Sequence, residues 1–313
     1  MKLAFAPWTS RWILLAAVGA GASVLVSGCG SPGFAVRPGT IAVVAAENQY
    51  GNVAAQIGGA DVSVISVESN PNTDPHSYEV SPDVAAEIGS AQVVIQNGIG
   101  YDDFMTKIES ASPNASRRVL IVQQLLGLPD STPNPHLWYD PATMPKVAKA
   151  LAADYAALQP AHASYFDSNA ATFIASLQPW LSALAAFKAQ YGGTPVATTE
   201  PVADYMLTAA GADNLTPFRL QADVMNGVDP SPEDLSMQTA LFTDHKVKVF
   251  VYNEQVTDTL TQSFITAAQT AHIPVIGVYE TMPTPGFTYQ SWMIAEVNAL
   301  TAAVAHGVST QHL

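Results

Sequence analysis

The chain has 313 residues, 48% of them hydrophobic and 12% charged, with 22 Pro and 20 Gly; this is enough apolar material for two compact lobes and excludes a disordered or fibrous chain. A formal net charge of −14, from 26 acidic against 12 basic residues, excludes nucleic acid as a natural partner. The acidity is compatible with gathering cations, although most such charge is simply solvated, and a single Cys leaves stability to packing rather than disulfides.

The first predicted element lies outside the fold. Lys2 and Arg11 make a basic leader, and residues 12–26 (WILLAAVGAGASVLV) are an apolar run too short for a membrane span and without a stop-transfer flank. The run ends in Val26-Ser27-Gly28-Cys29, which resembles the lipobox of bacterial lipoproteins, where small residues precede a Cys that becomes the lipidated N-terminus. Residues 1–28 therefore read as an export signal and Cys29 as the lipid anchor to the outer face of the cell membrane. Residues 29–39 read as a flexible tether. Removing residues 1–28 takes Lys2 and Arg11 away and makes the mature chain two charges more acidic.

Short β-branched runs then alternate with helical stretches. Strands are expected at residues 41–45, 62–67, 92–96 and 118–122, and helices at 52–58, 82–89, 102–110 and 141–158. Ser81-Pro82 and Asp140-Pro141 have the form of an N-cap followed by Pro in the first turn. Residues 161–191 predict one long helix with Phe166, Phe173, Leu177, Leu181 and Leu184 on its apolar face; Gly192-Gly193 ends it and Pro179 interrupts it. Strands follow at 195–199, 247–252 and 274–278, and helices at 202–210, 232–244, 257–271 and 289–306. The alternation predicts an α/β fold of two Rossmann-like βα lobes with parallel sheets, residues 40–158 and 192–313, joined by a long connecting helix over 159–191.

Ligands of open α/β sheets sit beyond the carboxyl ends of the strands. Four of the loops that follow strands carry a residue able to hold a metal: His76 after the second strand, His136 after the fourth, Glu200 after 195–199 and Glu280 after 274–278. Two come from each lobe, so a cleft between lobes would gather them. Neutral imidazoles and carboxylates suit borderline divalent metals, and two carboxylates balance a +2 charge in a buried site. Prolines before each His stiffen the presenting loop. Taken singly, a loop His is as often surface decoration, and Glu200 and Glu280 could each merely favour a helix start. Glu47, Asn48 and Asn253 follow strands and are candidates to orient the ligands, as is Glu254. Trp138 could shield the site or only fill the core, and Asp140 reads as a helix N-cap. His162, His245, His272, His306 and His312 read as structural or surface residues.

Three motifs in order carry a resemblance over residues 40–300. They are Asp74-Pro75-His76-Ser77-Tyr78-Glu79 with Ser81-Pro82, Asn97-Gly98-Ile99-Gly100-Tyr101-Asp102, and Asn134-Pro135-His136-Leu137-Trp138-Tyr139-Asp140-Pro141. Together they resemble the zinc/manganese-type solute-binding proteins of bacterial ABC importers, which include the pneumococcal-adhesin-like lipoproteins. The resemblance implies one Zn²⁺ or Mn²⁺ ion held as cargo between the lobes, with His76 and His136 as ligands and Glu200 at the third position. It also implies a monomer that hands the ion to a membrane permease with its cytoplasmic ATPase. The family's fourth ligand is usually Asp, where this chain has Glu280; residues 123–134 carry no His-rich loop, and Pro179 departs from the family's unbroken helix. Two His and two carboxylates favour Mn²⁺ relative to a nitrogen-rich site, while the Irving–Williams order favours Zn²⁺, so the metal stays open. Rival readings are a metal-dependent hydrolase, a binding protein for a chelate such as a siderophore or haem, and a surface adhesin. Four protein ligands leave little room for the first, no HExxH motif is present, and a chelate would call for more Arg and Lys than 12.

Overall fold

Seven consecutive buried residues, IAVVAAE, form β1 (Ile41–Glu47), and burial of every position on both faces is what a strand sandwiched between helix layers requires. The computed structural model describes residues 36–72 and 80–313, with Met1 and Ala4; the remainder of the leader and tether, Cys29 and residues 73–79, which include His76, lie outside the described residues. The described residues from Val36 on belong to one compact unit.

After β1 come α1 (Asn48–Gly58), β2 (Val62–Glu68), α2 (Pro82–Ser90), β3 (Val93–Gln96), α3 (Asp103–Ala111), β4 (Arg118–Ile121), α4 (Val122–Leu126) and α5 (Thr143–Leu158). The four strands are all parallel, in the order β2-β1-β3-β4. Helices α6 (Ala163–Ser176) and α7 (Gln178–Tyr191) follow. The second lobe has β5 (Pro195–Thr198), α8 (Asp204–Ala209), β6 (Asp213–Asn214), α9 (Phe218–Met225), α10 (Pro232–Thr243), β7 (Val249–Asn253), α11 (Thr259–Thr270), β8 (Val275–Val278) and α12 (Tyr289–His306). Its strands are again all parallel, in the order β6-β5-β7-β8. Both lobes thus follow the same second-first-third-fourth order, a likeness deeper than the shared βα rhythm of the sequence. In each, the chain reverses its direction of travel between two central strands, β1 and β3 or β5 and β7. Such a reversal opens a crevice at the strands' carboxyl ends.

The predicted long helix is two helices meeting at Leu177, and Pro179 lies in the first turn of α7. An N–H missing there removes no intrahelical bond. The apolar face continues through the junction, with Phe166, Phe173, Leu177, Trp180, Leu184 and Phe187 buried at spacings of seven, four, three, four and three. Leu181, expected in that face, is only half-buried; Trp180 takes its place. Ser81 caps α2 as expected, its Oγ accepting the Val84 N–H at 3.3 Å. Asp140 does not cap α5. Its carboxylate accepts the Ala142 N–H at 2.9 Å and its carbonyl the Thr143 N–H at 3.0 Å, which makes a turn before the helix begins at Thr143. Val122, expected to close the fourth strand, already begins α4. The two-residue β6 and α9 carry no periodic signal long enough to read.

Candidate metal centre

Glu200 and Glu280 sit where a strand hands over to a loop, whereas His136, expected directly after the fourth strand, is separated from β4 by α4 and the loop that follows it. Thr198 at the end of β5 pairs with Val251 of β7, so two residues further on Glu200 comes level with Asn253. The Asn253 N–H is anchored on Thr199 Oγ1 at 3.0 Å. Glu280 follows β8, and His136 stands just before a 3-10 turn, Leu137–Tyr139. His136 and Glu280 are fully buried and Glu200 is 3% exposed.

His136 is held by its own loop. The Asn134 Nδ2 donates to the Pro201 carbonyl at 2.7 Å, which fixes the orientation of that amide. Its Oδ1 can then only accept, and it receives both the His136 backbone N–H at 3.0 Å and the ring Nδ1 at 2.8 Å. The Nδ1 therefore carries the ring's proton in neutral imidazole, and Nε2 presents a lone pair. That Nε2 has no hydrogen-bond donor and faces Glu280 Oε2 at 3.2 Å. Two buried electron-pair donors at this separation repel unless a cation lies between or beside them. A proton shared between them or a metal ion beside them relieves that repulsion.

Glu280 is oriented from several directions. Its Oε2 accepts the Tyr101 hydroxyl at 2.8 Å and its Oε1 the Asn253 Nδ2 at 2.6 Å. Its N–H and that of Thr281 both donate to Gln255 Oε1, at 2.6 and 2.7 Å, and its carbonyl accepts from Gln49 Nε2 at 3.2 Å. Asn253 gives its second amide hydrogen to Glu200 Oε1 at 3.2 Å, so one side chain joins the two carboxylates. Its Oδ1 accepts the Gln255 N–H at 3.0 Å, which holds the amide that way round.

The other predicted supports fall at different depths. Asn48 clamps the backbone beyond Glu280, donating to the Met282 carbonyl at 2.8 Å and accepting its N–H at 2.9 Å. Trp138 is a buried core residue that stands edge-on to both His136 and Tyr101, with ring centroids 5.4 and 5.2 Å apart. Glu47 has no described hydrogen bond to His136, Glu200 or Glu280. Both its oxygens are buried without a donor, and its pKa is pushed well up by burial, then by the neighbouring negative charges of Asp102 and Glu68. Burial also raises Asp102, to about 6, against the backbone N–H groups of Gly98 and Asn97 that reach its carboxylate at 2.9 and 2.6 Å. That loop needs Gly98, whose φ is +85° and whose absent Cβ would fall 2.7 Å from Gln123 Oε1. Glu254 pairs instead with the exposed His312 at 2.8 Å. The expectation that His162 is a surface residue holds: it pairs with Asp61 at 2.7 Å.

Sequence reasoning gave no role to Tyr101, Asn134, Gln255 or Gln49. Tyr101 stood inside a quoted motif, and Asn134 lies two residues before His136, a spacing at which an Asn side chain reaches the backbone ahead of it. Nothing local marks Gln255 or Gln49. Among the described residues no three His, Cys, Asp or Glu side chains stand in metal-holding geometry; the described share of the centre is the His136–Glu280 pair, with Glu200 joined to it through Asn253.

A family model described as "ZnuA: Zinc-uptake complex component A periplasmic" matches residues 43–303. The chain belongs to this family. Zinc-uptake component A is a part of a transport complex and not an enzyme class. Over 165 residues the chain is 28% identical to the manganese-binding lipoprotein MntA of Bacillus subtilis (strain 168), a stretch covering 50% of this chain and 53% of that one; the match spans about half the length of the curated relative. Among solved structures, the periplasmic zinc-binding protein TroA of Treponema pallidum superposes with a TM-score of 0.73 at 18% identity, covering 86% of this chain and all of that one. The solute-binding protein FpvC of Pseudomonas aeruginosa, in complex with Mn²⁺, gives 0.70 at 20% identity over 86% and 99% of the two chains. A Cd-bound periplasmic metal-binding protein of Candidatus Liberibacter asiaticus gives 0.70 at 18% identity, over 85% and 100%. At such identities these likenesses establish the fold alone, two lobes each built on a four-stranded parallel sheet.

Proposed function

We propose that this protein captures a divalent transition metal ion, Zn²⁺ or Mn²⁺, outside the cytoplasm and delivers it to an ABC importer. The observation that supports the reading is the buried His136 Nε2 set 3.2 Å from Glu280 Oε2, an opposition that a bound divalent ion relieves as a shared proton would. His76, His136, Glu200 and Glu280 form the ligand set. The carboxylates match the charge of the ion, Asn253 and Tyr101 hold them, and Asn134 holds the imidazole. Relatives named for zinc and for manganese agree with a site that accepts either ion. Cys29 carries the lipid anchor, as a lipoprotein relative suggests, and residues 29–39 tether the lobes 40–158 and 192–313, which the 159–191 segment joins. The loaded protein, a monomer, docks on a permease served by a cytoplasmic ATPase.

The test is calorimetric titration of chelator-stripped protein with Zn²⁺ and Mn²⁺ separately, with His76→Ala and His136→Ala alongside. One-to-one binding that both variants lose is the expected result. Absence of tight binding for either ion would sink the reading and restore a metal chelate as the cargo.

A further inference from the structure

Helix α12 grips the turn that follows His136. Tyr289, Trp292 and Glu296 lie at i, i+3 and i+7 on one face, all fully buried. The Tyr289 hydroxyl donates to the Trp138 carbonyl at 2.6 Å, the Trp292 ring stands edge-on to Tyr139 with centroids 5.5 Å apart, and Trp292 Nε1 donates to Glu296 Oε1 at 2.9 Å. The Tyr139 hydroxyl lies 2.8 Å from the Tyr279 carbonyl and 3.2 Å from Glu296 Oε1, and accepts the Tyr279 N–H at 3.3 Å. A phenol has one proton to give, so the Tyr279 carbonyl and Glu296 compete for it.

We propose that Glu296 is a positioning residue for the metal centre: while neutral it leaves the Tyr139 proton to the Tyr279 carbonyl, and this bond fixes the His136 turn of one lobe against the residue preceding Glu280 in the other. The inference rests on the proposed metal centre. An ionised Glu296 is the stronger acceptor; it turns the phenol proton toward itself and releases the Tyr279 carbonyl. Burial, opposed by the Trp292, Tyr139 and Tyr279 hydrogen bonds, raises the Glu296 carboxyl to about 8, so the neutral form prevails at neutral pH. The titratable groups facing it are Tyr139 from the turn and Tyr279 from the end of β8. Behind them, Glu280 bears on Tyr139 and Glu254 on Tyr279. Among the described residues no Lys, Arg or His forms an ion pair with Glu296.

The full chain and its Glu296→Gln and Tyr139→Phe variants are titrated with Zn²⁺ at pH 6.5 and 8.5, with unfolding midpoints measured alongside. Glu296→Gln keeps an acceptor for Trp292 and stays neutral. It should bind as tightly as wild type at pH 6.5 and severalfold more tightly at pH 8.5, while Tyr139→Phe should bind about tenfold more weakly at pH 6.5. A wild-type to Glu296→Gln affinity ratio identical at both pH values would overturn the inference, as would an unchanged affinity in Tyr139→Phe. Hydrogen exchange of the metal-free proteins separates this from the function itself. Even if wild type bound no ion, amides around His136 and Glu280 should exchange faster in Tyr139→Phe, and unchanged exchange there would count against the strut.

Discussion

Asn253 serves two carboxylates with one amide group, so its removal acts on both. Asn253→Ala should lower metal affinity by about 10- to 100-fold, the usual cost of losing a group that orients a ligand. It should also lower the unfolding midpoint of the metal-free protein, because its partners, the buried Glu200 and Glu280 among them, lose a hydrogen bond each. Asn253→Asp should be worse still, because a third negative charge would face Glu200 and Glu280 without a hydrogen to give either. Titration calorimetry ranks the three proteins, and equal affinities would show that the carboxylates hold their positions unaided. Glu296 makes a second prediction at this scale. Its carboxyl is raised from an ordinary 4.5 to about 8 by burial, so between those values the folded chain keeps a proton that the unfolded chain has released. Stability from this group is therefore full below about pH 4.5 and is lost as pH rises to about 8. Urea unfolding at pH 5, 6.5 and 8 should find wild type losing ground steadily to Glu296→Gln; a difference independent of pH would refute the assignment.

At the scale of elements, local chemistry sets the ends and tertiary packing sets the interiors. Ser81 supplies the one side-chain acceptor at the start of α2 besides placing Pro82 at its first position. Ser81→Ala should cost about 0.5–2 kcal/mol in denaturant unfolding. Pro179 behaves in the opposite sense: in the first turn of α7 it interrupts no existing bond, so Pro179→Ala should change stability by well under 1 kcal/mol. If that substitution instead destabilised the fold strongly, the junction at Leu177 would be a packing requirement rather than a consequence of the proline. The helix N-terminus at Ser81-Pro82 could be read in advance because capping involves four adjacent residues. Asp140-Pro141 has the same local form, yet its turn closes before the helix starts. The apolar positions that follow, Met144, Val147, Ala148 and Leu151, have to face the core, and packing overrides the local signal.

For the whole molecule, the proposed ligands come from both lobes, so metal binding and folding form one equilibrium. At a free ion concentration of about 100 times Kd, a saturable site adds about 2.7 kcal/mol to stability. Thermal unfolding with and without Zn²⁺ should therefore show a raised midpoint in wild type and none in His136→Ala. A shift that survived the substitution would place the ion elsewhere. The lobes meet through long-range contacts such as Tyr101 to Glu280, 179 residues apart, and Gln49 to the Glu280 carbonyl, 231 apart.

The sequence by itself determined the two-lobed parallel α/β class, the strand-end positions of Glu200 and Glu280, and a break in the 161–191 helix close to Pro179. Each follows from a period, a strand boundary or a proline suited to a helix's first turn, features contained within a few neighbouring residues. His76 and Cys29 stand on the same kind of sequence evidence and lie outside the described residues. Only the tertiary structure decided that both sheets share one strand order, that Asn134 fixes the imidazole's proton, and that Tyr101, Asn253 and Gln255 hold Glu280. These bonds to Glu280 join residues 25 to 179 positions apart, at distances that chain folding creates and no local pattern encodes; the Asn134 spacing is local, but only the Pro201 carbonyl fixes which way its amide faces.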